Sequence, residues 1–282
     1  MKRWIVFAHY DKQCIIDDYV IYYLKELKKN STNIVFVSDC DLPQEELNKL
    51  KDITDNAIAK HHGEYDWGSY KIGFKFIEEN INLEDIDELV FCNDSVYGPI
   101  YPLQPYINKM SESEFDFTGF LENKFEPKGE KSKHHIQSWF ILFKKQVFSS
   151  DIFKEFMHSV KKEDSKEQII IKYEIGCSEL LSQKFSFQGL VSTEKYDAIY
   201  SSPFDLIKYG FPFCKVSTVT KYNILYLVGK KNKNLVHLIK KHQKRCKKRN
   251  IFINCIRYLK YDYKRKNIKI DYLRIKDLRY KN

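Results

Sequence analysis

Three short apolar runs constrain this chain more than any other feature. Residues 4–8 (WIVFA), 33–38 (NIVFVS) and 88–92 (ELVFC) are too short for independent helices. They are rich in β-branched and aromatic residues, so each reads as a buried strand. Between the first two, residues 12–29 carry Ile16, Tyr19, Val20, Tyr23, Leu24 and Leu27 at helical spacing. Further helices are expected at 43–51, with Pro43 in the first turn, and at 66–80, 101–110, 152–160 and 169–185. Further strands are expected at 115–117 and 139–143, with a last one at 225–228. Strands alternating with helices imply an α/β fold around a mainly parallel sheet.

The 282 residues suit one large domain, or one domain with an appendage. No run of about 18 apolar residues occurs, so no transmembrane helix is expected. The apolar run at 4–8 stops at His9, Tyr10 and Asp11. It is too short for a signal peptide and is read as the first strand. The seven cysteines are scattered, odd in number and form no CxxC. That pattern suits the free thiols of a cytosolic chain better than a disulfide framework or a zinc site. The charge is uneven. Residues 215–282 hold 22 Lys and Arg against 3 Asp and Glu, a local charge of +19, which leaves −9 on the rest. An acidic body with a basic tail points to an anionic partner, a membrane surface or a nucleic acid. A solvated helical appendage is the plainer reading. The stretch 123–134 (NKFEPKGEKSKH) has no apolar periodicity and reads as a loop.

Several chemistries lack their motifs. There is no GxGxxG, GxxxxGK[ST], HExxH or GxSxG. The pairs His61-His62 and His134-His135 are poor chelates, because neighbours on a strand point to opposite faces. What remains is the strand 88–92, which ends in Asn93-Asp94-Ser95 ahead of Val96, Tyr97, Gly98 and Pro99. Open α/β sheets bind ligands outside the carboxyl ends of their strands. A carboxylate there can hold a divalent cation, Mg²⁺ or Mn²⁺, that bridges a diphosphate and acts as a Lewis acid. The alternative is an Asp bonding its own backbone in a turn. His135 and Gln137 alternate along "HIQSWF", so on a strand they share one face. They suit sugar hydroxyls, or a packed core. Trp139 and Phe140 suit the core, or a platform under a sugar ring.

Six segments then fall in a familiar order: "YDWGSYK" (65–71), "NDSVYGP" (93–99), "DFTGF" (116–120), "HIQSWF" (135–140), "YEIGCS" (173–178) and "GFPFCK" (210–215). On these the chain resembles the rhamnan synthesis protein F family of bacterial cell-surface polysaccharide glycosyltransferases. The resemblance covers roughly residues 1–215. It implies a GT-A-like (Rossmann-like) nucleotide-sugar-binding domain over 1–214, followed by a basic, helical segment over 215–282. It also implies transfer of rhamnose or a similar sugar, from dTDP-rhamnose or a UDP- or GDP-sugar, onto a glycan or lipid-linked glycan.

On that reading Asp94 is the acidic-motif residue and metal ligand, and Asn93 and Ser95 lie beside metal or phosphate. Asp66 bonds a ribose or base, or else caps a helix. Gly68 lets backbone approach a phosphate where the next helix starts. Inverting transfer needs a general base, with Glu174 the first choice and Asp116, at the start of a strand on the acceptor side, the second. His135, Gln137 and Trp139 line the acceptor side. Two departures from the family pattern stand out. A single carboxylate replaces a paired acidic motif, which weakens the case for a metal. His62 and Glu64 replace the Asn-x-Gly that often precedes the Tyr-Asp-aromatic-Gly element. The basic tail, with Tyr258, Tyr261, Tyr263, Tyr272 and Tyr280, suits an anionic membrane. Two competing classes are a nucleic-acid binder using the tail and a non-catalytic glycan-binding scaffold. The acidic body and the lack of an RNA-binding motif argue against nucleic acid.

Overall fold

A computed structural model of the chain describes residues 1–124, 134–193, 197–221 and 224–246. The strands are β1 (Arg3–His9), β2 (Asn33–Ser38), β3 (Asn56–Ala59), β4 (Glu88–Asn93), β5 (Val96–Tyr97), β6 (Phe117–Asn123), β7 (His135–Ile136), β8 (Phe140–Lys144), β9 (Phe187–Thr193) and β10 (Cys214–Lys215). Eight of them form one sheet in the order β3-β2-β1-β4-β8-β6-β7, with β9 paired to β6. The pairs β1–β2, β2–β3, β1–β4 and β6–β9 are parallel. β8 runs antiparallel between β4 and β6. β4 and β6 therefore point the same way, and their carboxyl ends meet at one edge of the sheet.

Every residue of β1 and β4 is buried, as expected for central strands covered on both faces. One layer holds the helix Asp18–Lys28, which turns Tyr19, Val20, Tyr23, Leu24 and Leu27 inward. The other holds the helices Tyr65–Asn80 and Asp151–Ser159. Within Tyr65–Asn80, Gly73 lets the helix lie close on the sheet. A Cβ there would sit 2.3 Å from Val6 Cγ1.

The chain winds from β1 outward to β2 and β3, then returns to β4 on the far side of β1. This reversal is a topological switch point, where open α/β sheets take their ligands. The residues brought to it are His9, Tyr10 and Asn93 to Ser95.

Several boundaries differ from the expectations, each for a physical reason. The segment 225–228 is not a strand but part of the helix Leu225–Lys231, whose buried Leu225 and Val228 are three residues apart. A four-residue apolar run does not separate a strand from a buried helix face. The helix expected at 12–29 starts only at Asp18. Before it the chain loops through Cys14, whose φ is 55°. The expected strand at 115–117 starts at Phe117 and runs on to Asn123. β3 and β9 were not anticipated. Gly189 in β9, and in β3 a polar Asn56 with two small alanines among four residues, blunt the apolar signal there.

The described part of the basic segment is packed on the body. Lys215 lies in β10, which pairs with β5. In the helix Lys233–Arg245, Leu235 and Ile239 are fully buried. Arg245 reaches the carboxylates of Asp11 and Asp17, and Lys241 reaches Asp18. The tail tyrosines and most of the loop expected at 123–134 lie outside the described residues.

Replacing Gly73 with Ala sets helix propensity against packing. The propensity gain is up to about 1 kcal/mol, whereas overpacking a core costs about 1–3 kcal/mol. Gly73→Ala is expected to lower the urea midpoint of unfolding. An unchanged or raised midpoint would show that the helix does not rest on β1 as described.

Candidate functional site

A cavity of about 320 Å³ opens at the carboxyl ends of β4 and β6. The strand-end motif divides across it, because successive side chains leave a strand on opposite sides. Asn93 and Ser95 line the cavity, and Asp94 does not. Asn93 Nδ2 donates to Asp66 Oδ2 at 2.6 Å. Ser95 Oγ donates to Asn93 Oδ1 at 2.5 Å, and its backbone N–H donates to the same atom at 3.1 Å. Lys215 Nζ donates to Ser95 Oγ at 2.8 Å. An ordered chain therefore runs from Lys215 through Ser95 and Asn93 to Asp66.

Asp94 faces β1 instead. Its Oδ2 accepts from Tyr10 N at 3.0 Å and lies 3.8 Å from His9 Nε2. Its backbone oxygen accepts from the Tyr19 hydroxyl at 3.1 Å. Burial pushes the Asp94 carboxyl up to about 8, against the Tyr10 N–H, and the charges of Asp66 and Asp11 add to the rise. Burial pulls His9 down to about 4, so the imidazole is neutral at pH 7.

Asp66 sits in the first turn of Tyr65–Asn80, and burial raises its pKa while Lys215 and Lys166 oppose the rise. Tyr65, just before it, holds a φ of 57° and is 43 % exposed at the cavity. Left-handed backbone on a bulky residue is strained, and such strain gathers at functional sites. Gly68 has a different role from the one expected. A Cβ on it would meet Glu64 Cβ at 2.3 Å and the His62 ring at 2.8 Å. The close approach is thus made by the chain's own preceding loop.

The segment "HIQSWF" also departs from simple alternation. β7 ends at Ile136, whose side chain packs over Gly119 in the core. Beyond it the chain leaves the strand, so Gln137, Ser138 and Trp139 all line the cavity together with His135. Trp139 Nε1 donates to Gln137 Oε1 at 2.7 Å, and Gln137 Nε2 donates to Asp197 Oδ2 at 2.6 Å. Trp139 stacks on Phe120 with centroids 5.5 Å apart. Glu174 Oε2 accepts from Ser138 N at 2.9 Å and from the Ser138 hydroxyl. Its Oε1 lies 3.9 Å from His135 Nε2. Glu174 stands on a π-helical turn, Ile170–Ile175, a local widening common at functional sites.

Asp116 lies elsewhere. It precedes β6, and the cavity lies beyond the other end of that strand, at Asn123. Its carboxylate accepts from Ser186 N at 2.7 Å, Ser186 Oγ at 2.8 Å and Gln146 Nε2 at 2.9 Å. The expectation that it faces the acceptor side is therefore corrected: the start and the end of a strand are on opposite edges of the sheet.

The cavity also gathers residues that the sequence reading did not single out, chiefly Asp197, Lys215, Lys166, Tyr200 and Asn123. Asp197 caps the helix Ala198–Ser201 by accepting from Ile199 N. Burial and the Glu174 charge raise its pKa, opposed by Lys215. Burial lowers the pKa of Lys215, opposed by Glu174, Asp66 and Asp197. Two weak signals existed: Lys215 closes the segment "GFPFCK", and Asp197 precedes an Ala-Ile-Tyr run.

These residues do not fit a protein-built cation cage. Among the described residues no three His, Cys, Asp or Glu side chains converge as metal ligands. Asp94 already accepts a backbone N–H, and the neighbouring Asp11 is bound by Arg245.

The family model for rhamnan synthesis protein F (RgpF) matches residues 34–272. The chain belongs to this family. Among curated proteins it is 27 % identical over 188 residues to uncharacterized protein y4gN of Sinorhizobium fredii, covering 66 % of this chain and 45 % of that protein. It is 27 % identical over 174 residues to virulence protein VirA of Vibrio anguillarum, covering 61 % and 52 %. The chain thus spans about half the length of these relatives. Among solved structures it is similar to a cytidylyltransferase from Leptospira borgpetersenii, at 15 % identity, a TM-score of 0.41 and coverage of 84 % and 97 %. It is also similar to a glycosyltransferase involved in the glycosylation of the major capsid of PBCV-1, at 10 % identity, a TM-score of 0.35 and coverage of 71 % and 82 %. The family match, not these distant likenesses, carries the assignment.

The half-buried Asp94 carboxyl ties stability to pH. The folded protein keeps its proton up to about pH 8, whereas the unfolded chain loses it near 3.8, the ordinary value for an aspartate. Stability from this group is therefore full below that lower value and is lost as pH rises towards 8. Asp94→Asn keeps an oxygen for Tyr10 N–H and removes the titration. It is expected to flatten the fall in melting temperature between pH 5 and 8 and to raise it at pH 8. The same slope in both proteins would place the proton elsewhere.

Proposed function

We propose that this chain transfers a sugar from a nucleotide-diphosphate donor to a hydroxyl of a growing glycan, in one displacement with inversion. The observation that carries the reading is the grouping of Asp66, Glu174 and Asp197 in one cavity beside the β1/β4 switch point. Membership of the rhamnan synthesis protein F family supports it.

The nucleoside lies over the carboxyl ends of β1 and β4, beside Asp94 and the 58 % exposed Tyr10. The sugar enters the cavity past Asn93 and Ser95. Glu174 is the general base. Two donors from Ser138 fix its Oε2, and Oε1 is turned towards His135. His135 and Gln137 meet the acceptor's hydroxyls, and Trp139 forms the wall behind them. Asp197 orients Gln137 through their hydrogen bond. dTDP-rhamnose and UDP- or GDP-sugars are the donors to try. The basic residues beyond 215 support an acceptor carried at an anionic membrane surface. No helix among the described residues is long and apolar enough to cross a membrane.

Glu174→Gln is expected to cut donor turnover by about 10²–10⁴-fold while leaving donor affinity intact, the usual contribution of a general base. Release of nucleoside diphosphate in the presence of a glycan acceptor reads this directly. Asp116→Asn, outside the cavity, should turn over at the unaltered rate. Full activity in Glu174→Gln would remove Glu174 as the base.

A further inference from the structure

A diphosphate that leaves an anomeric carbon carries away negative charge, and something positive must meet it. Metal-dependent transferases use a divalent ion at the strand-end acid. Here that acid, Asp94, is turned towards β1, and the described residues around it form no cation cage. The same strand end does hold a cation, supplied by the chain itself.

We infer that Lys215 is the built-in counter-charge for the departing diphosphate, so that this protein binds its donor and releases its product without a divalent metal. The inference rests on the transferase reading above.

Four observations carry it. Lys215 is 9 % exposed and lines the cavity, and its ammonium sits 2.8 Å from Ser95 Oγ, one residue past Asp94. An ammonium has three N–H donors, of which Ser95 takes one. The backbone is fixed as well: Lys215 pairs with Val96 in the β5–β10 ladder, and Val216 N donates to Ser95 O at 3.0 Å. The side chain lies over the Trp139 ring, 5.5 Å from its centroid, which limits where the ammonium can move. Finally, burying an ammonium is costly unless it is paired and hydrogen-bonded. The chain holds this one at the point where a phosphate would arrive, facing Asp66, Glu174 and Asp197, with Lys166 beside them.

The step balances in atoms and charge. The acceptor oxygen forms a bond to the anomeric carbon as the bond from that carbon to the phosphate oxygen breaks. The electron pair leaves with the nucleoside diphosphate, whose new charge meets the Lys215 ammonium. The acceptor's proton passes to Glu174. A preorganised cation aimed at developing charge needs no reorganisation during the step.

Calorimetry of the full chain with UDP, dTDP and GDP, each beside its nucleoside, tests this in EDTA and again with Mn²⁺. The expected result is that at least one diphosphate binds in EDTA and that Mn²⁺ changes its Kd by less than about twofold. Lys215→Met should weaken the diphosphate by about tenfold or more and leave the nucleoside unchanged, whereas Lys215→Arg stays within about threefold. Binding that requires Mn²⁺ overturns the proposal and leaves the transferase reading standing, as does undiminished diphosphate binding by Lys215→Met. No binding of any diphosphate under either condition removes the transferase reading and this proposal with it. The EDTA arm is read on the unaltered protein and decides the matter even where Lys215→Met fails to fold.

Discussion

The short antiparallel ladder between β5 and β10 ties together two distant parts of the chain, with Val216 N–H on Ser95 O and Ile100 N–H on Pro212 O extending it at either side. It carries Lys215 to Ser95 across 120 residues of sequence. Once there, the ammonium and the carboxylates of Asp66, Glu174 and Asp197 are mutually dependent. The ammonium is withdrawn from water and the carboxylates are half-buried beside it, and such charges are tolerable only when they are compensated and hydrogen-bonded. The surrounding layer supplies that compensation: Asn93 holds Asp66, Ser138 holds Glu174, and Gln137 holds Asp197. Trp139 in turn holds Gln137, so one indole in the core fixes the direction of an amide in the cavity.

The motif at the end of β4 is two devices interleaved. Side chains leave a strand alternately, and that period sends Asn93 and Ser95 one way and Asp94 the other. Asp94 fastens the start of the loop after β1 through Tyr10 N–H, beside a neutral His9 that is itself bonded to Ser38 at the end of β2. Three strand ends are thereby locked together. The other two residues belong to the cavity. Three consecutive letters thus both fasten the ends of three strands and line the cavity.

Much of the architecture was legible in the sequence because its signal is local. The runs at 4–8, 33–38 and 88–92 could hardly be anything but buried strands, and the amphipathic stretch before Lys28 announces its own inward face. Seven of the ten residues singled out for the site converge on the cavity: Asp66, Asn93, Ser95, His135, Gln137, Trp139 and Glu174. The failures have a common cause. Asp116 and Asp94 were judged by sequence neighbourhood, whereas strand direction and side-chain alternation decide where they point. Lys215 resembled the first residue of a basic tail, because charge content cannot distinguish a solvated lysine from a buried one that lines a cavity with three carboxylates. Asp197 has no local signature beyond a helix cap. Long-range pairing placed it, and no window of sequence contains that information.

The π-helical turn that presents Glu174 has a consequence of its own. A π turn holds one residue more than the α-helical path it replaces. The aim of the carboxylate therefore depends on how many residues lie between the start of the helix at Lys166 and Leu181, and not only on which residues they are. Removing a single residue from this stretch would let the helix relax to regular pitch along the same path, so the flanking turns keep their places while residues within the bulge shift by one position, roughly 100° about the axis. Point substitutions in the segment alter packing by degrees, whereas a one-residue deletion would swing Glu174 out of register with Ser138. In this part of the fold, length is itself a functional parameter.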